Sequence, residues 1–327
     1  MALILNREEV ASVLTMKDTI EAVEQAFRDL AEGKAEMPLR STIRVADPPG
    51  LINVMPAYLG TLGALGMKLV SSYPENPGKH RMPTVQATIL YSDHKTGKLL
   101  AVMEGGYITA VRTGAASGVA TKYMARRNAA AAGVLGSGIQ AETQLEAVCA
   151  VRPIKSARVF SPTPAHRESF AKRMSARLGI DVKPVAEAAE AVRGCDIVIA
   201  ASSAKTPILK GEWLRPGAHI NGIGSHSTDA RELDEIAVKR SKVVVDSMEA
   251  AMREAGDLLM PMADGVIGKD HVYAELGELV LGRKAGRGGD DEITLFKSQG
   301  LAIEDVSTAK LVYEKAKAHG KGSELPI

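Results

Sequence analysis

The chain has 327 residues, of which 45% are hydrophobic and 24% charged, with a formal net charge of +2. That length exceeds one small core and fits two domains, and the composition is that of an ordinary soluble globular protein. The near-balance of charge leaves no electrostatic footprint for nucleic acid or an anionic membrane, and 4% aromatic residues supply few stacking platforms for bases. In the opening stretch MALILNREEVASVL, Asn6, Arg7, Glu8 and Glu9 interrupt the apolar run, so neither a signal peptide nor a membrane span is expected. Cys149 and Cys195 lack metal-ligand spacing, which predicts no metal site and a reduced, cytoplasmic setting.

Ile20, Val23, Phe27 and Leu30 recur at three- and four-residue steps, and Gly33 closes the helix they predict. Between residues 39 and 105 the pattern changes to short β-like runs, STIRVA, LINVMP, ALGMKLVSS, TVQATILYS and LLAVMEG. Turn formers in DPPG, YPENPGKHRMP and SDHKTGK separate them, so a largely antiparallel sheet with a helix against it is predicted. From about 115 a helix, TGAASGVATKYMARR, leads into six apolar runs with helices between them: AAAAGVLG, ARVFS, DVKPV, CDIVIAAS, HINGIG and KVVVDS. Strand alternating with helix implies a parallel, doubly wound sheet, because parallel neighbours need crossover connections. The segment 282–292, GRKAGRGGDDE, reads as a mobile loop, and LAIEDVSTAKLVYEKA as a final helix returning to the first domain.

Gly136, Gly138 and Ala141 form G-x-G-x-x-A directly after a predicted strand and at the opening of a helix. The first glycine permits a tight turn, the second lets backbone approach a pyrophosphate, and the small third residue allows close helix–strand packing. The helix N-terminus adds unpaired N–H groups and a positive dipole end. Alone the motif is weak, but within alternating strands and helices it predicts a dinucleotide site. At the end of the second strand, where an NAD enzyme places an acid on the ribose, the chain has Ser161, Pro162 and Thr163, followed by His166 and Arg167. Ser161 and Thr163 can donate to a 2′-phosphate and Arg167 can add a charge-assisted contact, which favours NADP(H) over NAD(H). The alternative is that Ser161 begins a turn and Arg167 lies on a solvated helix face.

Three basic residues stand out. Lys68 shares a strand face with Ala64, Gly66 and Val70, whereas Leu65, Met67 and Leu69 share the other. It is either an edge residue reaching solvent or a pocket lysine with a depressed pKa, and Arg44 in STIRVA has the same two readings. Arg112 precedes the expected start of the TGAASG helix, where a cation is disfavoured unless an anion is bound or an acid such as Glu104 pairs with it. Two arginines and a lysine beside a dinucleotide point to a carboxylate-bearing amino- or imino-acid substrate.

The runs MEGGYITAVRTGAASGVATKYMAR, VLGSGIQA, GEWLRPGAHINGIGS and FKSQGLAIEDVSTAKLVYE resemble the ornithine cyclodeaminase/mu-crystallin family, over about residues 40 to 315. The resemblance implies a Rossmann domain over 115–300 and an α+β substrate-binding and dimerisation domain from 1–114 with 301–327, in a homodimer. By it, Arg44 and Arg112 would hold the substrate carboxylate, with Lys68 beside the reacting carbon and nitrogen. Thr84 and Arg112 would touch the nicotinamide side, Ile139 and Gln140 the pyrophosphate, and Ser161 the adenosine ribose. Ser202, Asn221, Gly222, Ile223 and Ser298 would line the dinucleotide cleft, with Gln299 near the substrate.

The departures select a branch. Where cyclodeaminases carry a catalytic aspartate, GSHSTDARELD places His226, and where they carry an ornithine-binding glutamate, LINVMP places Asn53. A basic ω-amino group would lose two acidic partners, and burying it unpaired is costly. Asp229 is either a nearby acid or, as D-x-x-E with Glu232, a capping box for the helix ARELDEIAVK. His226 is either a pocket hydrogen-bond donor or a neutral loop residue. The function implied is reduction of a C=N bond next to a carboxylate, in a cyclic ketimine such as Δ1-pyrroline-2-carboxylate or Δ1-piperideine-2-carboxylate. Alanine dehydrogenase is the close variant. An ornithine cyclodeaminase that holds NAD catalytically and a mu-crystallin-like protein that binds NADPH and hormone complete the alternatives.

Overall fold

In a computed structural model that describes residues 1–326, the chain forms two compact units, Met1–Arg112 with Leu301–Ile327, and Thr113–Gly300. The division falls inside one helix, Gly105–Met124, which runs through it without a break.

The first unit is built on a mostly antiparallel sheet. Its strands are β1 (Ala2–Leu5), β2 (Ala35–Glu36), β3 (Ser41–Val45), β4 (Gly50–Leu59), β5 (Ala64–Ser72), β6 (Val85–Asp93) and β7 (Leu99–Glu104). From the edge formed by Ser323–Leu325 the order is β1-β7-β6-β5-β4-β2, with β3 also on β4. Only the β1–β7 pair is parallel. Side chains alternate as the pleat requires. Met55, Ala57, Leu59, Ala64, Gly66, Lys68, Ile89, Tyr91, Ala101 and Met103 are buried on one face. Two helices cover that face, Met16–Ala31 and Ala302–Ala318. The predicted apolar stripe is present, with Ile20, Val23 and Phe27 buried, and Gly33 supplies the left-handed residue (φ 70°) past the helix end. The other face leaves Ile43, Met67 and Leu69 exposed.

The second unit carries an all-parallel sheet of eight strands. They are β8 (Ala131–Leu135), β9 (Ser156–Phe160), β10 (Asp181–Pro184), β11 (Ile197–Ala200), β12 (His219–Gly222), β13 (Ser241–Val245), β14 (Val272–Glu275) and β15 (Ile293–Lys297). Their order is β10-β9-β8-β11-β12-β15-β13-β14. It reverses at β8, which starts the winding to either side, and ligands of such sheets sit at the carboxyl ends of the strands there. The six predicted runs are β8 to β13. Two further strands, β14 and β15, escaped the sequence reading, although ITLFK is buried at every position. Continuous apolarity alone does not separate a strand from a buried helical turn.

Two other expectations are corrected, and the expected loop at 282–292 is present. The helix expected from about 115 begins at Gly105, because the Glu104 carboxylate accepts from the Gly106 and Tyr107 N–H groups (2.8 and 3.0 Å) and caps it there. Arg112 therefore lies two turns inside the helix and not at its start. Asp229 does not cap the helix after it. That helix, Glu235–Lys239, is capped by Asp234, whose carboxylate accepts from Ala237 N–H (2.7 Å). Segment 282–292 lacks helix and strand, but Arg287 anchors it by donating from Nε to the Met124 carbonyl (2.7 Å) and from Nη1 to the Glu292 carbonyl (2.5 Å).

Candidate functional site

In the first unit the pleat aims Lys68 from the interior strand β5 into the covered face, with β4 on one side and β6 on the other. Its exposure is 1%, so the solvent-reaching reading fails. The helix Ala302–Ala318 supplies its partner: Lys68 Nζ lies 2.7 Å from Asp305 Oδ2. Arg112 reaches the same helix, with Nε 2.9 Å from Asp305 Oδ1 and Nη1 donating to Glu304 Oε2 at 2.6 Å. Glu304 and Asp305 are wholly buried and Arg112 is 5% exposed. Two cations and two carboxylates thus share a dry site, where each partner offsets the desolvation of the others. Arg112 is paired with acids distant in sequence and not with Glu104.

Burial pulls the Lys68 ammonium down to about 8, with Arg112 repulsion adding to the fall and Asp305 opposing it. Between about pH 8 and 10.5 the unfolded chain holds a proton here that the folded chain has released. The Lys68 contribution to stability should therefore rise with pH across that window and be flat below it. Urea midpoints of wild type and Lys68→Met at the two ends of the window should diverge accordingly; parallel shifts would place the ammonium elsewhere.

Arg44 makes no ion pair with this cluster among the described residues. Through the pairs Arg44↔Leu51 and Leu51↔Ser72 it shares the sheet face of Lys68, but four residues further along and two strands away. That separates its Cα from that of Lys68 by roughly 16 Å on ideal sheet spacings, at an exposed position from which the long side chain can extend along the shared face. Asn53 shares this face as well, and its Oδ1 accepts from the Thr42 hydroxyl (2.7 Å). Thr84 is half-buried, and its carbonyl accepts from Tyr73 N–H (2.8 Å).

In the second unit, Gly136 turns the chain out of β8 with φ 120°, and a Cβ there would collide with the Ala201 carbonyl. Gly138 is the N-cap of the helix Ile139–Val151, and a Cβ on it would meet nothing within 4 Å. A helix N-terminus fronted by open space on the glycine side is a cradle that fits a pyrophosphate. Ile139 is exposed there, and Gln140 is half-buried with no partner for its side-chain amide oxygen. Ser161 directly follows β9 at 6% exposure, Thr163 is the N-cap of Pro164–Leu178, and Arg167 Nη1 donates back to the Ser161 carbonyl (2.9 Å). Arg167 therefore folds toward Ser161 instead of lying on the solvated helix face.

The remaining predicted residues gather at the carboxyl ends of β11, β12 and β15, largely through backbone. Asn221 is buried in a polar chain: its Nδ2 donates to Thr121 Oγ1 (3.1 Å) and its Oδ1 lies 3.2 Å from His219 Nε2. Burial holds His219 neutral, pushed down to about 3. The Gly222 carbonyl accepts from Ser298 N–H (3.1 Å), and Ile223 packs into the apolar core. Asp246, absent from the sequence reading, accepts from Gln299 N–H (2.5 Å), Gly300 N–H (2.7 Å) and the Ser298 hydroxyl (3.2 Å). Gln299 Oε1 lies 3.2 Å from Nδ1 of His226. Asp229 is exposed beside Ser227, whose hydroxyl lowers its pKa.

The sequence profile of the ornithine cyclodeaminase/mu-crystallin family matches residues 1–320. The chain belongs to that family. Among solved structures of the family, a Thermococcus litoralis Δ1-pyrroline-2-carboxylate reductase in complex with NADH and L-proline superimposes with a TM-score of 0.96 at 52% identity, covering 99% of this chain and 100% of that one. An archaeal alanine dehydrogenase dimer with bound NAD gives 0.94 at 40% identity, covering 100% and 99%. The ketimine reductase mu-crystallin of Rattus norvegicus is 39% identical over 295 residues, 90% of either chain. The family resemblance read from VLGSGIQA and LAIEDVSTAK is borne out. The Glu304 and Asp305 carboxylates, in the helix Ala302–Ala318, are not among the residues that the sequence pattern singles out. Their signal was available: IED sits within AIEDVSTA, a run with no other charge, and all eight of its residues are buried.

Proposed function

We propose that this chain is an NAD(P)H-dependent reductase of a carbon–nitrogen double bond next to a carboxylate, with a cyclic ketimine such as Δ1-pyrroline-2-carboxylate as substrate. The observation that carries the reading is the buried Lys68 on a sheet face, paired with an Asp305 that also binds Arg112. A purely structural lysine has little reason to be desolvated beside an arginine, whereas a group that donates a proton near neutrality needs a depressed pKa. When bound, the reduced dinucleotide supplies the hydride. Lys68 Nζ gives or shares the proton at the imine nitrogen, Asp305 keeps the ammonium in place, and Arg112 with Arg44 orients the carboxylate. In the second unit the Gly136–Ala141 turn takes the pyrophosphate. Gln299, with His226 beside it, and Asp229 are the substrate-side candidates of the second unit.

NADP(H) is proposed over NAD(H), because Ser161 and Thr163 stand where an acid would repel a 2′-phosphate and Arg167 lies against the Ser161 carbonyl. The exposed apolar row Ile43, Met67 and Leu69 on the first unit's open sheet face, together with the dimeric alanine dehydrogenase relative, supports a homodimer. Cys149 and Cys195 are both free thiols, in keeping with the cytoplasm. Alanine dehydrogenase is the second reading, favoured by the 40% identical relative that carries that name.

The test is oxidation of NADPH and of NADH by purified protein, with Δ1-pyrroline-2-carboxylate compared with pyruvate plus ammonium. Faster oxidation with the cyclic imine and a lower KM for NADPH are expected. A rate with pyruvate and ammonium alone would move the protein to the second reading, and no oxidation under either condition would remove both.

A further inference from the structure

Beneath the carboxyl ends of the second unit's strands lies a buried charged group with no part in the proposed chemistry. Glu232, wholly buried, accepts from Ser202 N–H through Oε1 and from Gly224 N–H through Oε2, both at 2.6 Å. One carboxylate thus ties together the loops that leave β11 and β12. Gly224 comes so close that a Cβ would strike both the Glu232 carboxylate and the Ser202 carbonyl. Glu232 is itself held: its N–H and that of Leu233 donate to Asp257 Oδ1 (2.7 and 2.9 Å). Lys297 Nζ, at the end of β15, lies 3.1 Å from Asp257 Oδ2 and donates to the Ser225 carbonyl (2.8 Å) and, more weakly, to that of Gly222 (3.4 Å). Asp257 and Lys297 are as fully buried as Glu232.

Such a network is expensive to bury, and a core of apolar residues would fold at lower cost. What apolar residues cannot do is hold two backbone N–H groups from different loops at fixed positions. We propose that Glu232 is a positioning residue for dinucleotide binding: its carboxylate sets the spacing of the Ser202 and Gly224 loops, and Asp257 and Lys297 set the carboxylate. The inference rests on the dinucleotide reading above, since parallel sheets take such ligands at the ends of these strands.

The requirement is for two acceptor oxygens. Glutamine keeps the size but offers one acceptor, and its amide N–H group faces a backbone N–H that it cannot satisfy. Glu232→Gln should raise the Kd for NADH, read by fluorescence titration, at least about tenfold. Turnover at saturating cofactor should stay within about threefold, since no reacting atom is touched. A residue that only stabilised the fold would lower the urea midpoint and leave the Kd unchanged, and that result would overturn the proposal. Failure of wild type to bind NADH would overturn the dinucleotide reading together with it.

Wild type carries a second test that needs no variant. The charged groups facing Glu232 are Asp257, from the helix Gly256–Ala263, and Lys297, from β15. Burial, helped by Asp257 and opposed by Ser202 and Lys297, raises the Glu232 carboxyl to about 7. Above that pH both oxygens accept; below it one carries a proton and confronts an N–H. NADH affinity should therefore weaken as pH falls through neutrality, NADH being used because it lacks a titrating 2′-phosphate. An affinity that does not change across neutrality would count against Glu232 as decisively as an unchanged Kd in the variant.

Discussion

Replacing Lys68 with methionine should reduce imine-dependent NADPH oxidation by about 10²- to 10⁴-fold while leaving dinucleotide affinity within a factor of about two. The size follows from the removal of the proton-bearing side chain that β5 places against Asp305. The substitution also leaves a buried carboxylate short of a partner. Removing one member of a buried pair typically costs 3–5 kcal/mol, and about 3 kcal/mol is expected because Arg112 still faces Asp305. Stability and turnover therefore have to be measured on the same preparation, by urea denaturation and by steady-state rates at saturating substrate. Wild-type turnover should fall as pH rises through about 8, where the Lys68 ammonium is lost, and the variant should lack that limb. Turnover in Lys68→Met within tenfold of wild type, in a folded protein, would take Lys68 out of the chemistry.

The glycines of the dinucleotide turn should respond to alanine in opposite ways. At Gly136, with φ 120° and the Ala201 carbonyl in the way, a methyl group is both strained and overpacked, for a combined cost of about 3 kcal/mol. Gly138 has φ −85° and open space, so the folded chain alone should tolerate alanine within about 0.5 kcal/mol. A methyl there occupies the space in which a pyrophosphate would lie, and NADH affinity should fall at least tenfold with the urea midpoint unchanged. The two variants thus separate a glycine needed by the fold from one needed by the ligand. Should Gly138→Ala bind NADH as wild type does, the turn does not hold a dinucleotide.

Much of the architecture was legible because it is written locally. The alternation in ALGMKLVSS assigns Lys68 to the covered face, and the spacing of Ile20, Val23 and Phe27 assigns that helix its buried stripe. G-x-G-x-x-A after VL marks the turn that Gly136 makes. The misreadings also have local causes. The Arg112 helix starts ten residues earlier than expected, because the Glu104 carboxylate caps it at Gly105. Asp229 and Glu232 match the spacing of a capping box, but Asp234 fits the helix start, and Glu232 is drawn off to Ser202 and Gly224.

By itself the sequence determined the classes of element, their alternation, and which faces are apolar, since propensity and periodicity act over a few residues. Only the tertiary structure decided which charges are paired. Lys68, Arg112 and Asp305 are brought together from a strand, a helix in the middle of the chain and a helix near its end, and Glu232 from a loop joins two others. Spacing along a chain does not record such meetings. Electrostatic pairing depends on distance through space and on the exclusion of water, and both are settled only when the elements pack.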